Sequence, residues 1–154
     1  MAISLNQLKD YWKNLALAHN QVKSFSWGTN LDLTSDSSIE YPRVHVIPVS
    51  TNLALNAATH TLNVLCIDLV RIDDFEQLDE VWSDTQQILT DLKNHFVFQA
   101  PEWVSLDGNP TLTPVLEDYR DRFSGWQMSI VLQVDTDFGD CSLPFQNFTD
   151  PVCQ

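Results

Sequence analysis

Glycine is scarce in this sequence, with 4 in 154 residues, so few positions allow the close backbone approach that phosphate loops and dinucleotide-binding turns require. None of those motifs is present, nor is a nucleophile elbow or the spacing of a zinc site. The four histidines, His19, His45, His60 and His95, stand apart in sequence and are read as surface or capping residues. No catalytic residue, cofactor or metal is therefore expected, and the chain is not read as an enzyme. Cysteine is as sparse: Cys66, Cys141 and Cys153 are an odd number in no ligand spacing, expected as free thiols in a reducing compartment. Positive charge is the third shortage. Against 21 Asp and Glu stand 8 Lys and Arg, a net charge of −13, which makes binding to duplex nucleic acid or an anionic membrane through a basic face repulsive. No apolar run approaches the roughly 18 residues of a membrane span. Met1 to Asn20 also lacks the basic start and apolar centre of a signal peptide, and folding in a cytoplasm is the expectation.

What is present suffices for one domain: 44% of the residues are hydrophobic, and a chain of this length buries roughly 70% of the surface its unfolded form exposes. Ser4 followed three residues later by Gln7 is a capping box, and Leu5, Leu8, Tyr11, Trp12, Leu15 and Ala16 recur at helical spacing, predicting a helix over Ser4 to His19. Val22 to Trp27 is a short strand, and Thr29 to Glu40 a polar loop. Arg43 to Val49 alternates as a strand whose Pro48 suits an edge or an end. Thr51 to His60, with Leu53 and Leu55, is read as an exposed hairpin tip.

Thr61 to Ile72 is the most hydrophobic strand, with Leu62, Val64, Cys66 and Val70 on one face, Leu65, Ile67 and Leu69 on the other, and Asp68 interrupting it. Asp73 and Asp74 supply an N-cap for a second helix whose stripe runs from Phe75 through Val81, Ile88 and Leu92 to Phe96. Asp68, Asp73, Asp74 and Glu76 resemble a hard-cation cluster, but capping explains the last three better. Gln99 to Pro114 reads as a turn-rich connector anchored by Trp103. A final pair of strands follows, broken at Ser124-Gly125. In its second strand Trp126, Met128, Ile130, Leu132 and Val134 face the core, and Gln127, Ser129, Val131, Gln133 and Asp135 face outward. Residues 1–136 thus form one domain and 137–154 an irregular tail, in which Phe138, Phe145 and Phe148 have no element of their own to bury them. An acidic domain with an exposed apolar loop and an aromatic tail has the features of a subunit made to assemble.

The order of elements is amphipathic helix, short strand, long loop, strand, strand, acid-capped helix, hairpin, irregular tail. The most distinctive stretches run from Leu65-Cys66-Ile67-Asp68-Leu69-Val70 through Asp73-Asp74 into Trp82-Ser83-Asp84-Thr85-Gln86-Gln87-Ile88-Leu89, and from Gly125-Trp126-Gln127-Met128-Ser129-Ile130 towards Cys141 and Pro144. This arrangement resembles the tail-terminator and tail-completion proteins of tailed bacteriophages, which form rings at the neck or tail end. The resemblance implies an α+β fold: a mostly antiparallel sheet of about four to five strands, two main helices packed on it, and an irregular C-terminal tail. It implies a virion protein assembled in the bacterial cytoplasm as a head-tail connector ring of six or twelve copies. Such a ring contacts other neck, portal or tail proteins and lets DNA pass without sequence-specific binding, with no membrane partner. It carries over no catalytic residues, only the expectation that Leu53, Leu55, Phe138, Phe145 and Phe148 reach neighbours. The alternatives are an acidic, DNA-mimicking inhibitor that occupies a cationic groove, motivated by the charge, and a small-ligand protein or enzyme with a pocket around Asp68 and the tryptophans.

Overall fold

Ser4 opens the first helix as its residue type and spacing predict. Its side chain accepts from the Gln7 N–H at 3.2 Å, and Gln7 Oε1 accepts from the Ser4 N–H at 2.7 Å, so two orphan amides of the first turn are satisfied reciprocally. In the computed structural model, which describes residues 3–29, 39–70, 75–117 and 122–136, this helix is α1, Leu5–Ala18. Leu8, Trp12 and Ala16, four residues apart, are fully buried, and the Trp12 ring lies 4.9 Å from that of Phe96. The stripe therefore packs on the domain itself.

The remaining elements are β1 (Ser24–Trp27), β2 (Arg43–Leu53), β3 (Ala57–Val70), α2 (Phe75–Phe98), β4 (Val104–Glu117) and β5 (Arg122–Asp135). They form an α+β fold with one five-stranded sheet in the order β1-β2-β3-β5-β4. Strand β1 runs parallel to β2, and every other pairing is antiparallel. One face of the sheet, carrying Val44, Val46, Leu62, Val64, Cys66, Met128, Ile130 and Leu132, shares a single core with Leu8 and Trp12 of α1 and Ile88, Leu89 and Leu92 of α2. The alternation read in β5 holds along its length, with Met128 to Val134 buried at every second position.

The opposite face has two halves. Near one end Leu65, Ile67 and Phe123 are buried, with the Tyr41 ring 5.2 Å from that of Phe123. Towards the other end Thr59, Thr61, Asn63, Gln127, Ser129 and Gln133 present hydroxyl and amide groups, all of them at least partly accessible.

Three readings of the sequence are corrected. The stretch Gln99 to Pro114 is not a connector, because from Val104 onward it is the outer strand β4. Pro110 and Pro114 are compatible with a strand that has a neighbour on one side only. Asp107-Gly108-Asn109 forms an irregularity within the ladder, with Gly108 at φ 71°, instead of a turn between elements. The hairpin tip is shorter than Thr51 to His60: β2 continues to Leu53 past a register shift between Pro48 and Ser50, β3 resumes at Ala57, and only 54–56 turn. Ser124-Gly125 is not a break, since both lie inside β5. The loop expected at Thr29 to Glu40 and the cap at Asp73-Asp74 fall largely outside the described residues.

Gly125 is fixed by a close approach: a Cβ placed on it would meet the Cys66 carbonyl oxygen at 1.9 Å. The two central strands cannot both keep their register around any side chain there. Gly125→Ala is expected to cost about 3 kcal/mol or more, while Gly108→Ala, strained in backbone but meeting nothing within 4 Å, should cost about 1–2 kcal/mol. Urea unfolding of both variants checks this, and a Gly125 loss no larger than the Gly108 loss would contradict the geometry.

Candidate functional site

One end of the sheet carries the most exposed large apolar groups among the described residues. Leu53 pairs with Ala58, Ala58 with Val134, and Val134 with Val104, so the β2–β3 hairpin, the end of β5 and the start of β4 lie side by side. Backbone bonds hold them there: Ala54 N–H donates to Ala57 O at 2.8 Å, Asp135 N–H to Trp103 O at 3.0 Å, and Thr136 N–H to Asn56 O at 3.0 Å. Helix α2 ends at the same place, because Tyr11 packs edge-on against Trp103 at 5.1 Å and also touches Phe96.

At this end Leu53 is 77% exposed, Leu55 79% and Phe98 79%. Leu53 has the same strand phase as the buried Ala58, yet β1 accompanies β2 only as far as Val46, so Leu53 lies on a stretch of β2 that, among the described residues, has a strand neighbour on one side only. Residues 51–56 carry no charge. Of the residues predicted to reach neighbours, Leu53 and Leu55 are brought together here, and Phe138, Phe145 and Phe148 lie outside the described residues. Phe98 was missed, although its position two residues past Phe96 puts it off the buried stripe of α2.

The polar groups inside the domain form bracing networks. His45 Nε2 lies 3.0 Å from the Gly28 carbonyl, which only accepts, so the proton sits on Nε2 and Nδ1 accepts the Ser26 hydroxyl proton at 2.5 Å. Arg43 Nε–H in turn donates to Ser26 Oγ at 3.0 Å. The Ser–His contact resembles a nucleophile and base, but His45 is 1% exposed and its second nitrogen is oriented by a backbone carbonyl. The geometry ties β1 to β2. Across the sheet, Trp82 Nε1–H donates to Ser124 Oγ at 2.6 Å, Ser124 donates to Val115 O at 3.0 Å, and Trp126 Nε1–H donates to Trp82 O at 2.9 Å. Between the helices, Tyr11 and His95 share a hydrogen bond and His19 Nε2–H donates to Asp91 Oδ2 at 3.0 Å.

The histidines expected at the surface are thus only partly there. His45 and His60 are buried, because β1 and Thr51 supply partners that are distant or unrecognisable in sequence.

Asp68 accepts from the Leu69 N–H at 2.8 Å. Burial raises the pKa of its carboxyl, the Leu69 bond opposes that, and Asp84 adds to it. Burial and Asp68 also push the Cys66 thiol far up, so Cys66 is an inert core residue. Among the described residues no group of three or more His, Cys, Asp or Glu is placed to hold a metal. A cleft of about 230 Å³ between α2 and β4 has Lys93 and Asn109 beside Leu89, Leu112 and Met128. That is smaller than the roughly 300 Å³ of the smallest usual small-molecule sites. Among the described residues no helix is long and apolar enough to cross a membrane. No protein-family model matches the chain, and no curated protein is similar to it.

Burial lowers the pKa of His45 and His60 below 6.5; the Gly28 bond partly opposes this for His45, and Arg43 adds to it. The unfolded chain therefore binds protons that the folded chain refuses, so this contribution to stability is complete above pH 6.5 and is lost as the pH falls towards the folded values. The urea midpoint is expected to drop between about pH 7.5 and 5.5, and a flat profile would sink the assignment. Asp68 has the opposite sign: its raised pKa makes the carboxylate costly at neutral pH. Asp68→Asn should therefore raise the midpoint modestly at pH 7, with the gain shrinking on acidification. If Asp68 instead served a ligand, the same variant would lose binding.

Proposed function

We propose that the chain is a structural subunit of a homo-oligomeric ring, of six or twelve copies, at the head-tail junction or tail end of a tailed bacteriophage. The observation that carries this reading is the uncharged apolar tip formed by Leu53 and Leu55 on a chain of net charge −13. Association through such a tip removes apolar surface from water without bringing like charges together. The element order, α1-β1-β2-β3-α2-β4-β5, supports the resemblance to tail-terminator and tail-completion proteins. In the ring, neighbouring neck, portal and tail proteins stack on the two rims. Acidic side chains around the channel repel the DNA backbone, so the genome passes without being gripped.

A second reading, an inhibitor that fills a cationic groove, is favoured by one feature. Glu76, Glu80, Asp84 and Asp91 follow one another at helical spacing along the accessible side of α2. The two readings differ in salt dependence, since a charge-driven complex dissociates as salt rises and an apolar ring does not.

Light scattering and electron microscopy of the purified protein test the proposal. A closed ring that persists in about 0.5 M salt, where the Debye length is only a few ångströms, is the expected result, formed alone or on a neck partner. The double variant Leu53→Glu, Leu55→Glu should keep the wild-type unfolding free energy within about 0.5 kcal/mol, as exposed substitutions do, and lose the large species. A monomer or dimer that binds a basic protein only at low salt would overturn the ring reading in favour of the inhibitor.

A further inference from the structure

The geometry points to a binding site for a small monocarboxylate, one carboxylate group on a short apolar body, in the cleft between α2 and β4. This site is independent of the ring reading. It originates in the irregularity of the outer ladder. From Asp107 to Thr111 β4 takes four steps while its partner β5 takes two, from Val131 to Ser129, so residues 108–110 depart from regular pairing. Gly108, at φ 71°, allows the bend, and Asn109 and Pro110 then line one side of the cleft. Leu89, Thr90 and Lys93, neighbours on α2, line the other. Leu89 and Met128 are buried members of the core and Leu112 is the ladder partner of Met128, so the floor is apolar.

The polar groups of the cleft decide what it takes. Of the four lysines, Lys9, Lys13 and Lys23 are exposed, whereas Lys93 is half-buried. The chain has 21 Asp and Glu, yet among the described residues no carboxylate lies within ion-pair distance of the Lys93 ammonium. The Asn109 side-chain amide also has no hydrogen-bond partner among the described residues. The Thr90 hydroxyl is engaged, donating to Gln86 O at 2.8 Å. The groups left to meet a ligand are therefore an ammonium and an amide, and the residues lining the cleft include no acid. A carboxylate only accepts, through two oxygens, which suits two such donors. A phosphate dianion would bring twice the charge to the same two donors on a chain of net charge −13. An anion here relieves the desolvation of a half-buried ammonium, and the floor removes an attached apolar body from water. The volume of about 230 Å³ equals about eight waters at roughly 30 Å³ each, which suits a fragment-sized acid and excludes a nucleotide.

Methionine carrying ¹³C in its methyl group gives a local reporter, because the chain has two methionines and Met128 lines the cleft. The full-length protein is titrated at pH 7 with 4-methylpentanoate and followed by methyl NMR, the Met128 signal being assigned with Met128→Leu. Parallel titrations use 4-methylpentanamide, which has the same shape without the charge, and 4-methylpentylamine, which has the opposite charge. A saturable shift of the Met128 signal is expected with a Kd of about 1 mM or below for the acid, at least about tenfold weaker for the amide, and with no saturation for the amine. Lys93→Gln should keep the wild-type urea midpoint and weaken the acid at least about tenfold, to the level of the amide. A Met128 signal that stays fixed in about 20 mM acid would overturn the inference. Equal affinity for acid and amide in the wild-type protein would do the same, without reliance on any variant. So would a folded Lys93→Gln protein that binds the acid as tightly as the wild type. Each of these results leaves the ring reading untouched, since the titration reads the cleft and not the number of copies.

Discussion

The close contact between β3 and β5 at Gly125 is the constraint on which the rest of the domain is built. Strand β3 is paired with β5 along all 14 of its residues and with β2 from Ala58 to Ile67, so neither of its edges is free over that central stretch. Cys66 has its thiol in the helix-side core and its carbonyl against the bare α-carbon of Gly125. A shift of one residue would turn the hydrophobic row of the strand that slips, Leu62, Val64 and Cys66 in β3 or Met128, Ile130 and Leu132 in β5, to the polar side and strip α2 of packing surface. Because β2 follows β3 beyond the point where β1 stops, the same register also carries Leu53 out into solvent. The exposed tip is thus a direct result of how the core is aligned.

The buried polar groups follow a single logic. Strand β1 has four residues, too few to be secured by a parallel ladder alone, and Ser26 and the Gly28 carbonyl hold it to β2 through the two nitrogens of His45. Each nitrogen has a role consistent with the neutral ring, and Arg43 completes the chain of donors. Low dielectric strengthens such a network as long as every member is satisfied. The two indoles Trp82 and Trp126 play a similar part where α2 meets β5, each donating across the interface between helix and sheet.

Helix α1 was readable in the sequence because cap and period agreed, Ser4 with Gln7 at one end and Leu8, Trp12 and Ala16 along one side, and α2 because its period is long and Glu76 and His95 stand at the ends where the dipole favours them. Strand β5 was readable because its alternation is strict. Strand β4 was not, since two prolines and Asp-Gly-Asn are also the signature of a turn, and only the presence of a neighbour on one side alone makes them compatible with a strand. His45 looked like a surface residue because the partners that make its burial tolerable come from another strand, 17 and 19 residues away in sequence. Of the candidate site, Leu53 and Leu55 were visible as large apolar residues in an otherwise small and polar stretch. Their neighbour at the domain end, Phe98, became evident only once the end of α2 and the hairpin were placed side by side.

The prolines of β4 and the register shift at Pro48 in β2 have a consequence for how the protein behaves in bulk. Five-stranded sheets end in two rows of unpaired backbone groups, and identical molecules at high concentration can join along those rows without limit. Here one outer strand is interrupted by Pro110, Pro114 and the Gly108 irregularity, and β2, where it runs beyond β1, carries its own interruption at Pro48. Strand addition is thereby disfavoured along β4 and along the stretch of β2 that runs beyond β1, and the remaining margin, β1, is only four residues long, so the described sheet offers little template for open-ended growth at high concentration.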